Sequence, residues 1–216
     1  MATTKRDLLV KRWGALKSER SSWMTHYRDI SGVLLPRAGR FFIEDRNRGE
    51  KRHNAVLDNT GMLSLNVLTA GMMAGMTSPA RPWFRLATPD AELNKSPAVK
   101  LWTSQVTRLM LEIFAKSNTY RALHSAYQEL GAFGTMGNIV LPDFQNVVHH
   151  YPLTAGEYCI AQDWRGEVVT LYREFEKTVG ETVKEFGKEN CSHSVRNLFE
   201  MGELDKWVRI IHAIEP

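Results

Sequence analysis

The hydrophobic period of this chain changes once, near residue 137, and that change restricts its fold more than any single motif. Before it, apolar residues recur every three to four positions. Leu9, Trp13, Leu16, Trp23, Tyr27, Ile30 and Leu34 form one stripe, interrupted by Arg20, over a helix expected from 4 to 34 and stopped by Pro36. A second helix is expected from about 56 to 76, apolar on more than one side and therefore expected to be buried on more than one side. Ser96-Pro97 opens a third, with Ser as cap, Pro at the first helical position, and Val99, Trp102, Val106, Leu109 and Ile113 on one face. Asn118 stands where it caps a fourth, which carries Tyr120, Leu123, Tyr127 and Leu130.

Beyond 137 the alternation approaches two. "GNIVL", "VVHHY", "GEYCIAQ" and "GEVVTLYREF" read as strands, with Asp163-Trp164-Arg165-Gly166 as a hairpin turn. Two short helices near 179–186 and 194–201 precede a last strand, "WVRIIHAI", for which no following element supplies a partner. The expected fold is α+β: long N-terminal helices, then a small, mostly antiparallel sheet with two short helices. Residues 1–136 form the helical part and 137–216 the β-rich part.

Charge is placed unevenly. Residues 1–54 hold thirteen Lys/Arg against six Asp/Glu, a net of +7, and the remainder is −3. Within "RAGRFFIEDRNRGEKRHN", Arg37, Arg40, Arg46, Arg48, Lys51 and Arg52 are candidates for contact with nucleic acid or a neighbouring subunit, and 41–43 for a short strand. A solvated loop and helix face is the plain alternative.

Catalytic and metal-binding patterns find little support. The segment from Gly180 to Lys188 has the wrong spacing for a phosphate loop and lacks the Ser/Thr after the lysine. Cys159, Cys191 and His193 do not have the spacing of a structural zinc site. His149 and His150 are consecutive in a strand, so one ring faces inward and one outward. The expectation is a protein without catalytic residues, metal or cofactor.

Between Asp58 and Arg81 no charged residue occurs. The window is long enough for a membrane span, but Asn59, Thr60, Ser64, Asn66, Thr69, Thr77 and Ser78 are polar, and Pro79 breaks its end. Membrane association through 59–80 is therefore the weakest reading. Gly71 and Gly75 form a G-x-x-x-G pair that allows close helix packing, within the chain or against another copy.

The run 68–86, "LTAGMMAGMTSPARPWFRL", together with "RSSWMTHYRDISGVLLPRAGRF" before it, resembles the head-to-tail connecting (portal) proteins of short-tailed bacteriophages. In that family a small-residue helix ends in a similar Thr-Ser-Pro…Trp-Phe sequence. "SNTYRALHSAYQELGAFGTMGNIVL", "GEVVTLYREFEKTVGETVKEFG" and "WVRIIHAIEP" extend the likeness in the same order. The resemblance implies a non-enzymatic structural component of the virion. It would form a homo-oligomeric ring at a capsid vertex, assembled in the host cytoplasm, through which double-stranded DNA is packaged and ejected. It implies capsid, terminase and tail proteins as partners, and only weak contact with the sliding DNA. It also implies that these residues correspond to the wing-like region, truncated before the stem and clip. The alternative is a nucleic-acid-binding module that uses residues 1–54.

Overall fold

The computed structural model describes residues 4–36, 38–39, 41, 56 and 58–216. They gather into two compact units. One contains the described residues within 1–26, 40–48 and 156–216, the other those within 27–39 and 49–155. The first helix, α1 (Lys5–Leu34), contributes residues to both. The fold is α+β, as expected, and the β-rich sequence begins at β1 (Gly137–Asp143).

In the first unit, β3 (Tyr158–Gln162), β4 (Val168–Thr178) and β5 (Trp207–Ile214) form an antiparallel sheet in the order β3-β4-β5. The β3–β4 turn closes at Asp163, whose carboxylate accepts the N–H groups of Arg165 at 2.8 Å and Glu167 at 3.0 Å. Trp13 and Leu16, three apart on α1, bury against Cys159 and Tyr172, and Leu9 packs at the margin. Burial of each such side chain stabilises by about 1.5–3 kcal/mol. Arg20 interrupts the stripe because its guanidinium has a partner on the sheet: it donates to the carbonyl of Tyr158.

The terminal strand does not lack a partner. β5 pairs with β4 along its whole length, from Trp207 opposite Thr178 to Ile214 opposite Leu171. Between these strands lie α5 (Val179–Phe186) and α6 (His193–Glu200). α5 starts with a reciprocal cap: the Thr178 hydroxyl accepts the Glu181 N–H, and the Glu181 carboxylate accepts the Thr178 N–H. Val179, Cys191 and Val195 form a second small core beside them.

The second unit is built from α2 (Thr60–Met76), α3 (Pro97–Lys116), α4 (Thr119–Phe133) and the hairpin of β1 with β2 (Val147–Leu153). α2 begins later than expected. Asp58 accepts both the N–H and the hydroxyl of Thr60, which fixes that start. The helix packs on α4, where Gly131 permits the approach: a Cβ there would lie 2.9 Å from Cδ1 of Leu65. α4 ends at Gly134, whose φ of +72° closes the last turn.

Asn118 precedes α4, but its side chain does not cap the helix. Its amide pairs with the backbone of His150 instead, accepting the N–H at 2.8 Å and donating to the carbonyl at 2.7 Å. Trp83, Phe84 and Leu86 lie in a segment without helix or strand and join no sheet. Trp83 and Phe84 pack on Phe114 of α3. No described helix is long and apolar enough to cross a membrane.

Candidate functional site

The chemistry of α2 and α3 lies on their outer faces. α2 buries a narrow line through Leu65 and Thr69, and the Thr69 hydroxyl is satisfied by the Leu65 carbonyl at 2.8 Å. The helical repeat puts Leu63, Val67, Ala70, Gly71 and Ala74 on the opposite side, where all are exposed; Val67 is 74% accessible. Among the described residues, α2 is therefore not buried on more than one side, contrary to expectation.

α3 behaves similarly. Its buried line runs through Thr103 and Thr107, whose hydroxyls donate to the carbonyls of Val99 and Thr103. Threonine tolerates this burial because the carbonyl four residues back accepts its hydroxyl. Trp102 and Leu109, on the apolar face read from the sequence, are exposed, as is Leu101. Periodicity correctly identified an amphipathic helix but did not identify which side meets the rest of the chain.

Gly71 and Gly75 sit on exposed parts of α2, and nothing among the described residues comes within 4 Å of a Cβ placed on either. The helix glycines in tight contact are Gly131, against Leu65, and Gly61, against Val33. Sequence reading missed Gly131 because a lone glycine in an amphipathic helix carries no spacing signal. Arg37, Arg40, Arg46, Arg48, Lys51 and Arg52, and residues 42 and 43 of the expected short strand, lie outside the described residues.

The polar interior is structural in character. In the second unit, buried Glu129 accepts the Thr154 hydroxyl at 2.7 Å and the Ala155 N–H at 3.0 Å, while Thr154 accepts the Gly39 N–H. His150 is buried and His149 exposed, as strand alternation requires. Nδ1 of His150 meets the Asn138 amide at 2.9 Å, and its Nε2 is buried without a hydrogen-bond partner. Burial, and then the neighbouring His149, holds the His150 pKa below its ordinary value.

In the first unit, the Tyr172 hydroxyl donates to Glu215 at 2.7 Å. Burial and that carboxylate push its pKa up to about 12. Both cysteines are buried and free, and burial raises the Cys159 thiol. Among the described residues no group of three or more His, Cys, Asp or Glu is arranged to hold a metal ion. The surfaces thus offer packing faces more than reactive groups.

Two features had no sequence signal that was read. Phe144, at the tip of the β1–β2 hairpin, is fully exposed beside Val147, whose φ is +70°. Arg85, Lys100 and Arg108 come together around a groove between the connecting segment 82–87 and α3.

Comparison with known proteins gives these faces a context. Residues 6–216 match the family model described as bacteriophage head to tail connecting protein. A relative from Bordetella phage BPP-1, named "probable portal protein", is 67% identical over 213 residues, covering 99% of this chain and 38% of the relative. The "portal protein" of Salmonella phage epsilon15 is 43% identical over 216 residues, covering 100% of this chain and 39% of the relative. The chain therefore spans roughly two fifths of the length of these relatives. With nearly every described element inside the match, the chain belongs to the bacteriophage head to tail connecting protein family.

Proposed function

We propose that this chain is the N-terminal, wing-like part of a phage portal, a subunit of the homo-oligomeric ring through which double-stranded DNA enters and leaves the capsid. The observation that carries this reading is the exposed apolar face of α2, Leu63, Val67, Ala70, Gly71 and Ala74, in a chain of this family. A monomer gains nothing by holding such a face toward water; a ring subunit buries it. The G-x-x-x-G pair belongs to this face, and its role is to admit a neighbour in the assembly.

The work is mechanical. The chain acts at the capsid vertex of the virion after assembly in the host cytoplasm. Capsid, terminase and tail proteins are its partners, and catalysis is left to the motor. Arg37, Arg40, Arg46, Arg48, Lys51 and Arg52 make weak, salt-sensitive contacts with DNA or with a neighbouring subunit, because tight binding would oppose sliding.

A nonsense mutation early in the reading frame is the test. Heads that assemble but contain no DNA, restored to filling by complementation, agree with the proposal. Normal filling without the protein overturns it.

A further inference from the structure

In the second unit, the connecting segment 82–87 runs beside α3 and leaves a groove of about 610 Å³. Phe84, Leu86 and Leu111 give it apolar walls, Arg85, Lys100 and Arg108 give it positive charge, and no Asp or Glu lines it. Its threonine hydroxyls already have partners: Thr107 accepts the Leu86 N–H at 3.1 Å and donates to the Thr103 carbonyl, and Thr103 donates to the Val99 carbonyl. The cations are less well provided for. Arg108 has Glu112 only at 3.8 Å, and Arg85 and Lys100 face no carboxylate among the described residues. The N–H groups of Arg85 and Ala87, both exposed residues, make no hydrogen bond among the described residues.

We propose that this groove docks an extended polypeptide segment in which apolar and acidic side chains alternate. Apolar side chains fill the space between Phe84, Leu86 and Leu111. The acidic ones between them meet Arg85, Lys100 and Arg108. Duplex DNA offers charge without apolar groups able to enter such walls, and free phosphate has no use for them. The volume is in the range of sites that enclose small ligands or a few side chains, about 300–1,000 Å³. This docking is separate from ring formation, so failure here leaves the ring proposal standing.

The test uses a fluorescein-labelled peptide of alternating Glu and Leu, titrated with the chain and followed by anisotropy. The expected result is saturable binding that loosens about fivefold or more in Arg85→Glu or Lys100→Glu, and with rising salt. Both residues are exposed, and circular dichroism checks that the variants fold. In parallel, the peptide should slow hydrogen exchange in 82–87 and α3. Absence of saturable binding, equal affinity for the charge-reversed variants, or displacement by duplex DNA or inorganic phosphate as readily as by unlabelled peptide would each overturn the proposal.

Discussion

Trp13 donates its indole N–H to the buried carboxylate of Glu174 at 3.0 Å, across 161 positions of sequence. The same carboxylate receives Arg209 Nε at 2.8 Å and Lys17 Nζ at 3.5 Å, so α1, β4 and β5 share one anion. The Trp13 ring also stacks on Tyr172, with centroids 6.2 Å apart. Replacing Trp13 with Phe keeps an aromatic ring there but removes the donor and part of the buried indole volume, so the expected loss is about 2–4 kcal/mol. Glu174→Gln preserves an acceptor for the indole. It costs less, because Lys17 and Arg209 remain hydrated when they lose the charge. Denaturant unfolding of the two variants checks the order, and an equal or reversed cost contradicts it.

His150 supplies a pH dependence. Its folded pKa lies below the ordinary 6.5, first through burial and then through His149. The unfolded chain therefore takes up the proton first as pH falls. The stability that His150 contributes is complete above 6.5 and is lost as pH drops through the depressed folded value. His212 in the other unit is depressed too, by burial and Arg173, so the measurement must be local. Hydrogen exchange in β1 and β2 should accelerate on acidification, and His150→Gln should remove most of that change.

Val147 pays for the shape of the hairpin tip. A β-branched residue at φ +70° is strained by about 1–2 kcal/mol. Val147→Gly relieves that strain and returns part of it as unfolded-state entropy, so a net gain of about 0.5–1 kcal/mol is expected. Thermal unfolding reads the change; a lowered Tm counts against strain at this site.

The outer face of α2 distinguishes the chain alone from the assembly. With nothing within 4 Å of a Cβ at Gly71 or Gly75, Ala at either position should stabilise the isolated chain by about 0.5–1 kcal/mol through helix propensity. Leu at either position should leave the isolated chain folded and impair assembly, since the added bulk meets a neighbour. Circular dichroism with size analysis of the full-length protein reads both effects. Unimpaired assembly in both Leu variants contradicts close packing at this face.

Local patterns were the legible part of this fold. Pro36, Ser96-Pro97, Asp163–Gly166 and the period change at 137 each act within a few residues, and the elements lie where those signals put them. What failed was the assignment of faces. Trp102 and Leu109 belong to the apolar face of α3 yet are exposed, while Thr103 and Thr107 are buried with their hydroxyls bonded within the helix. Asn118 was read as a cap although its amide serves the backbone of β2, a partner 32 residues away that no local pattern announces. The G-x-x-x-G pair was legible as a pattern, but among the described residues nothing comes within 4 Å of a Cβ on either glycine. The grouping of Arg85, Lys100 and Arg108 depends on where a connecting segment meets a helix, which spacing does not encode.

The central claim is that this chain belongs to a ring. Electron microscopy of the purified full-length protein that contains it tests that claim most directly. Closed rings of uniform subunit number are the predicted result; a preparation that holds only monomers or open filaments would contradict the account.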